Sequence, residues 1–128
     1  MPAWEDYKKE ASDRGALAHE LYVVLSTPGP SPEKIKDTLP AHLAYQAEQE
    51  AAGTLFMAGP MSDESGTQMQ GMGHIIYQAA SLEAARTLAE NDPMHQSGAR
   101  SFVLRRWLVN EGSMTFSVKL AGQKVGLG

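Results

Sequence analysis

The sequence of 128 residues contains no cysteine, no long apolar run and no surplus of basic residues. The absence of cysteine excludes disulfides, thiolate catalysis and cysteine-based zinc sites. Eleven Lys and Arg against 15 Asp and Glu give a net charge of −4, and the basic residues are scattered, which argues against a nucleic-acid partner. No segment approaches the roughly 18 apolar residues of a membrane helix, and the N-terminus lacks a signal-peptide core, so we expect a cytoplasmic protein without a membrane partner.

What the sequence does contain is typical of one soluble domain. The apolar fraction is 42% and the charged fraction 20%, and both are ordinary for a globular protein. A chain of this length can bury one hydrophobic core. We expect a single domain over residues 1–128, with a core over about 20–109, a helical N-terminal extension over 1–18 and a C-terminal strand or tail over 112–128.

Capping and turn residues divide the chain into alternating strands and helices. Ser31 and Ser81 are suited to helix N-caps and Gly53 to a helix C-cap, whereas Pro40 should kink or restart the helix that contains it. The expected elements are helices over 3–14, 32–52 and 81–92 and strands over 19–27, 54–59, 73–79, 100–109 and 113–120. The order β-α-β-β-α-β, with an added helix in front and an added strand behind, predicts a ferredoxin-like α+β fold, an antiparallel sheet with both helices on one face.

The strand over 100–109 is apolar on both faces. Phe102 and Leu104 point one way along it, while Val103 and Trp107 point the other. Since the helices cover only one face, the second face needs a partner sheet. The sequence therefore predicts a homodimer.

One ionisable residue stands out on the first long helix. His42 lies roughly 100° from Leu43, at the flank of a stripe formed by Leu39, Leu43 and Ala47. A histidine there can face the seam between helix and sheet while it keeps contact with water. Taken alone, His42 is more simply a boundary histidine bonded to backbone or solvent, because a single ionisable group is a weak signal.

Asp92, at the end of the next helix, is placed awkwardly for stability. It falls within about 20° of Ala85 on the inward face, and it sits where the helix dipole is negative. One reading is that Asp92 turns outward before Pro93, which biases its backbone away from the helical region. If it stays inward, its carboxylate needs a cation or several donors, and His42 is a candidate.

Two segments carry a family resemblance: "LPAHLAYQAEQEAAGTLFMAGP" and "SLEAARTLAENDPMHQSGARSFVLRRW". Together they resemble the YCII-related (YciI-like) family over roughly residues 20–109, most specifically in "HL", "AGP" and "DP". The resemblance implies a dimeric α/β barrel built from ferredoxin-like sheets and an active site with a histidine–aspartate pair, roles that fall on His42 and Asp92. Few members of the family have an assigned reaction, and one is a dehydrochlorinase acting on a chlorinated hydroquinone.

The pair points to proton transfer, because a carboxylate can orient an imidazole and stabilise its charged form. We expect a cofactor-independent enzyme performing general acid–base chemistry, an elimination, an isomerisation or a dehydrochlorinase-like reaction, on a small oxygenated or aromatic metabolite. No G-x-S-x-G sequence is present, which gives nucleophilic serine catalysis less support. The alternatives are a non-catalytic ligand-binding or accessory homodimer in which the pair is structural, and a subunit that acts chiefly through protein contacts.

Four further residues are candidates for contacting a substrate. His74, at the start of a strand, could line the same cleft, although a structural role is the simpler interpretation. Ser97 is an available hydroxyl that also fits an ordinary turn. Met61 and Met72 flank the long Gly- and Ser-rich connection, where they could form an adaptable apolar lid or fill the core.

The remaining charged groups carry weaker indications. His95 follows Asp92 beyond a proline, and we expect it to be exposed. The absence of H-x-H and H-E-x-x-H spacings gives a metal site little support, although His42, Asp92 and a further histidine could form one, so we expect none. Arg100, Arg105 and Arg106 could bind an anionic substrate, but charged residues on an edge strand more often face solvent.

Overall fold

The computed structural model describes all 128 residues. Its elements, in chain order, are α1 (Trp4–Asp13), β1 (His19–Pro28), α2 (Pro32–Ala52), β2 (Leu55–Ser62), β3 (Met69–Tyr77), α3 (Leu82–Asn91), α4 (Pro93–Gln96), β4 (Arg100–Val109), β5 (Phe116–Lys119) and β6 (Lys124–Leu127). They divide into two compact units, residues 20–107 and residues 1–19 with 108–128. No helix is long and apolar enough to span a membrane.

The larger unit is built on an antiparallel sheet with strand order β2-β3-β1-β4. Val24 pairs with Ile75 and Ser26 pairs with Gly73 in the register of β1 against β3. Because successive side chains alternate between faces, Tyr22, Val24 and Ser26 share one face of β1. The predicted ferredoxin-like α+β fold is confirmed.

The core of this unit lies between the sheet and α3. Ala85 and Ala89 of α3 are fully buried, and their small side chains let the helix approach the strands closely. Ser81 caps α3 as predicted, since its Oγ accepts a hydrogen bond of 3.1 Å from the Ala84 amide. The buried cluster consists of Tyr22, Val24, Ile75, Tyr77, Ala85 and Ala89.

Helix α2 begins and ends as its sequence predicts. The Ser31 hydroxyl accepts from the Lys34 amide at 3.2 Å, and Gly53 closes the helix in the left-handed conformation with φ of 80°. Of the predicted kink or restart at Pro40, the restart is not observed, since α2 is one helix of 21 residues. Proline removes a single intrahelical hydrogen bond, and Pro40 lies at an exposed position of the helix.

The face that α2 turns toward the domain differs from the predicted one. Leu39 and Leu43 are 43% and 55% exposed, although the apolar pattern placed them inward. The half-buried residues of α2 follow the 3-4 spacing of one helix face, and they are Ile35, Thr38, His42, Tyr45, Gln46 and Gln49. His42 therefore lies within the contact row of α2 rather than at the flank of an apolar stripe.

The smaller unit contains α1 and the C-terminal residues. Within it, the Leu17 amide donates to the Asn110 carbonyl at 3.0 Å. One strand was predicted after residue 112, but β5 and β6 form a two-stranded hairpin in which Val118 pairs with Val125. The prediction missed β6 because the tail is rich in glycine, and Gln123, with φ of 50°, lies in the turn that reverses the chain.

Candidate active site

His42 and Asp92 meet between α2 and the junction of α3 with α4. The imidazole Nδ1 lies 2.8 Å from Asp92 Oδ1 and 2.9 Å from Oδ2. The side chain of His42 is 16% exposed and that of Asp92 is fully buried. The structure thus brings the two sequence candidates into direct hydrogen-bond contact.

Asp92 is held inward by the break between two helices. It ends α3 and also caps α4, since its Oδ1 accepts a 2.9 Å hydrogen bond from the Met94 amide. Pro93 favours the extended backbone at Asp92, which has ψ of 125°, and also suits the first position of α4. The unfavourable location at the end of α3 is therefore offset by a second donor that the sequence analysis did not foresee.

The hydrogen bond fixes the proton on the imidazole of His42. A carboxylate only accepts hydrogen bonds, so Nδ1 carries the hydrogen. In the neutral ring Nε2 then has a free lone pair, and it makes no hydrogen bond within the chain. One nitrogen is committed to orientation and the other is available for chemistry.

His42 lies in the wall of a cavity of about 490 Å³, called the main cavity below. The wall is formed by one side of α2 and by the strands beneath it, with Met94 from α4. Its polar side chains are few, which is typical of a site for a small organic molecule. The apolar lining includes Ile35, Leu39, Leu43, Pro60, Met69, Met72, Ile75 and Met94, and the polar side chains are Ser26, His42, Gln46, His74 and Arg100.

Two tyrosines lie in the electrostatic field of Asp92. The Tyr45 hydroxyl donates to the Leu88 carbonyl at 2.7 Å, whereas the buried Tyr77 hydroxyl has no partner. Burial raises the pKa of both phenols above the ordinary value, and the Asp92 carboxylate raises each further. Both side chains are therefore neutral phenols, and neither supplies a counter-charge to Asp92.

His95 corrects the sequence prediction, which placed it in solvent. It is half-buried, with Nδ1 2.7 Å from the Ala89 carbonyl and Nε2 2.8 Å from Ser26 Oγ. Its ring lies 4.7 Å from that of Phe102. The short helix after Pro93 turns His95 back toward the sheet, and burial lowers its pKa below the ordinary value.

Ser26 and Arg100 are polar residues of the cavity. The sequence indicated Arg100 only as a possible anion-binding residue and did not indicate Ser26. Arg100 Nε donates to Ser26 Oγ at 2.8 Å, and its Nη2 donates to the carbonyls of Ser26 and Gly71. Burial lowers the pKa of Arg100 and Asp92 acts in the opposite direction, but a guanidinium keeps its charge. The available signal was the position of Ser26, which continues the inward row of Tyr22 and Val24.

The four substrate-contact candidates separate into three locations. His74 and Met72 line the main cavity, and His74 Nε2 is buried without a hydrogen-bond partner. Met61 instead lines a smaller cavity of about 200 Å³ beside the β2–β3 connection. Ser97 lines neither cavity and serves a turn, where its Oγ accepts from the Ala99 amide at 3.2 Å. No three His, Asp or Glu side chains gather as metal ligands.

In a comparison with protein families, the YCII-related domain family matches residues 20–108 of the sequence. The chain belongs to the YCII-related domain family. The matched range contains every residue of the main cavity, so the His42–Asp92 pair and the cavity both lie within the YCII-related domain. A comparison with curated proteins gives no match.

A solved structure resembles the fold of this YCII-related chain. It is the 5-chloro-2-hydroxyhydroquinone dehydrochlorinase TftG from Burkholderia phenoliruptrix AC1100, in complex with 2,5-dihydroxybenzoquinone. The two chains are 24% identical with a TM-score of 0.55, over 68% of this chain and 92% of TftG. At this identity the similarity establishes a shared fold.

Proposed function

We propose that the main cavity is an active site in which His42, oriented by Asp92, transfers a proton to or from a small oxygenated or aromatic molecule without a cofactor. The observation that carries this proposal is that the two nitrogens of the His42 ring have different surroundings. Nδ1 is bound by a fully buried carboxylate, while Nε2 is unpaired on a residue of the cavity wall. An imidazole so placed can act as a general acid or base.

The energetics of the pair favour this role over a purely structural one. Burying a carboxylate is costly, and replacing a buried ion pair with apolar residues is often neutral or stabilising. A structural pair also has no need of a cavity or of an unpaired ring nitrogen. The arrangement is explained more simply if the carboxylate stabilises the imidazolium that forms when Nε2 takes a proton.

The lining of the cavity supports a small aromatic substrate with acidic hydroxyl groups. Its largely apolar surface suits a ring, and the guanidinium of Arg100 has no carboxylate within ion-pair distance in the chain. TftG, which shares the fold, binds a dihydroxylated quinone. We therefore propose a hydroxylated aromatic or quinone-type substrate for this chain, with Arg100 near the developing negative oxygen.

Elimination of hydrogen chloride is the reaction we propose first. A base removes a proton from one hydroxyl of a chlorinated hydroxyhydroquinone while the chlorine-bearing carbon takes up a proton, which gives a keto tautomer. A second hydroxyl then loses its proton as the C–Cl bond breaks, so that a hydroxyquinone forms and chloride departs. The substrate loses one proton and one chloride in total, so the step needs no oxidant. His42 Nε2 would accept the proton.

The test is chloride release from 5-chloro-2-hydroxyhydroquinone by the intact chain. His42→Ala should lower the rate by about 10²- to 10⁴-fold, the usual contribution of a general base. His19→Ala is the matched control, because His19 is exposed and lies outside the cavity. Equal rates in the wild type and His42→Ala would refute the role of His42 in this reaction.

A ligand-binding homodimer is the second candidate function. The observation that favours a dimer is the exposure of Val103 and Trp107 on one face of β4 in the single chain. We propose that a second copy covers this face, as expected for ferredoxin-like sheets that pack together. Sedimentation should give a dimer at micromolar concentration, and Trp107→Glu should shift it toward monomer. A wild-type monomer under these conditions would contradict the dimer.

A further inference from the structure

We propose that Ser26 is a nucleophile in the main cavity, with His95 as its general base, and that the chain cleaves small carboxylic esters there. This activity is separate from the proton transfer assigned to His42. It rests on two groups that contact the Ser26 hydroxyl, the His95 ring and the Arg100 guanidinium, and on the Ala89 carbonyl that orients the His95 ring.

The hydrogen bonds determine where the protons lie. The Ala89 carbonyl can only accept, so the 2.7 Å contact places the hydrogen of His95 on Nδ1. The neutral ring then has its lone pair on Nε2, 2.8 Å from Ser26 Oγ. The Ser26 hydroxyl therefore donates to Nε2, as required of a serine activated by a base. A third group orients that base, here a backbone carbonyl in place of a carboxylate.

The state of His95 supports its role as a base. Burial, the largest effect, lowers its pKa, and His42 and Arg100 lower it further, against the opposing effects of the Ala89 carbonyl and Asp92. The ring is consequently neutral at ordinary pH and its Nε2 can accept a proton. A protonated ring would instead donate to Ser26 and suppress its reactivity.

Arg100 supplies the electrostatic component. Its Nε donates to Ser26 Oγ at 2.8 Å, so a positive charge stabilises the serine as it loses its proton. Its Nη2 is bound to the carbonyls of Ser26 and Gly71, whereas Nη1 has no partner within the chain. Nη1 is thus a free cationic donor beside the nucleophile, suited to the carbonyl oxygen of an ester.

The local backbone leaves room for a substrate beside the hydroxyl. Ser26 lies in the cavity wall, and its partner in β3 is Gly73. A Cβ atom at position 73 would stand 3.7 Å from the Ser26 Cβ and 3.9 Å from Arg100 Nη2. A larger side chain there would occupy the space next to both groups, and glycine leaves it to a ligand.

The reaction balances without any co-reactant except water. Ser26 Oγ bonds to the ester carbonyl carbon while its proton passes to His95 Nε2. The bond to the leaving alkoxide breaks, and that oxygen takes the proton from His95. Water, deprotonated by His95, then attacks the acyl group on Ser26, the carboxylic acid leaves, and the serine regains its hydrogen.

The experiment uses p-nitrophenyl acetate with the intact chain. We expect a burst of p-nitrophenolate and one acetyl group per chain, which peptide mass spectrometry should locate on Ser26. Ser26→Ala should abolish both signals, and His95→Gln should slow acetylation by about 100-fold or more. Ser101→Ala, an exposed serine of β4 outside the cavity, should behave as wild type.

Three results would overturn the proposal. They are the absence of acetylation in the wild type, an acetyl group on another residue, and a burst that persists in Ser26→Ala. Circular dichroism establishes that the variants are folded. If Ser26→Ala does not fold, His95→Gln and the position of the acetyl group on the wild-type chain decide the question, because a merely structural serine would not be acetylated.

Discussion

His42 and His95 are held by different acceptors. His42 donates from Nδ1 to a carboxylate, whereas His95 donates from Nδ1 to a backbone carbonyl. A carboxylate can stabilise an imidazolium. At His95, burial is the largest effect and favours the neutral ring, although the Ala89 carbonyl acts in the opposite direction. The chain thus holds two imidazoles, one oriented by a buried carboxylate and the other kept neutral by burial.

The largest expected effect comes from removing the carboxylate that distinguishes His42. Asp92→Ala deletes the fully buried partner of His42 and the cap of α4 together, so we expect a loss of about 3 kcal/mol or more in the free energy of unfolding. Asp92→Asn keeps an acceptor for the Met94 amide and should lose about 1–2 kcal/mol.

Urea denaturation measures both losses. Asp37→Ala, which alters an exposed aspartate of α2, should change the unfolding free energy by less than about 0.5 kcal/mol. If Asp92→Ala were as stable as this control, the buried pair would not contribute to the fold as described.

His95 should make the free energy of unfolding depend on pH. The folded chain holds the pKa of His95 below its ordinary value of 6.5, so below that pH the unfolded chain binds a proton that the folded chain resists. The contribution of His95 to the free energy of unfolding is then fully present above pH 6.5 and is lost as the pH falls. His95→Gln should lose this part of the slope in urea titrations at several pH values. An unchanged slope would show that His95 is not held neutral.

The two phenols near Asp92 should respond oppositely to loss of their hydroxyls. Tyr45→Phe breaks the 2.7 Å bond to the Leu88 carbonyl and should cost about 1 kcal/mol. Tyr77→Phe removes a buried hydroxyl without a partner, so it should be neutral or stabilising by up to about 1 kcal/mol. Thermal unfolding of the two variants in parallel checks this, and a larger loss for Tyr77→Phe would reveal a bond to its hydroxyl.

The smallest effect is expected in the turn that follows α4. Ser97 is exposed and its hydroxyl serves only turn hydrogen bonds. Ser97→Ala should change stability by less than about 0.5 kcal/mol and leave chloride release unaltered. A large loss of activity would instead indicate that Ser97 contacts the substrate.

The sequence predicted the fold because strand alternation, caps and element order all agreed. It also brought His42 and Asp92 together, since the inward position of Asp92 required a donor and the family resemblance supplied one. It did not predict the direction of His95, which depends on the four residues of α4 closing a turn after Pro93. Nor did it identify Ser26 or the contact of Arg100 with it, because these two residues lie 74 positions apart in the chain.

The inward face of α2 was the other misjudged feature. Hydrophobicity alone favoured Leu39 and Leu43, but these side chains line an open cavity. The polar groups of His42 and Tyr45 find partners on the adjacent helix, at Asp92 and Leu88. A ranking of helix faces by apolar content alone does not predict such polar contacts.

The most direct test of the central claim is an NMR titration of the imidazole nitrogens with 2,5-dihydroxybenzoquinone. In the ¹⁵N-labelled chain, neutral His42 should carry its hydrogen on Nδ1, and its Nε2 signal should move as the quinone binds while the His19 signals stay fixed. If the quinone binds and His42 Nε2 does not respond, or if the hydrogen lies on Nε2, the account of His42 as the proton-transfer group of this cavity is wrong.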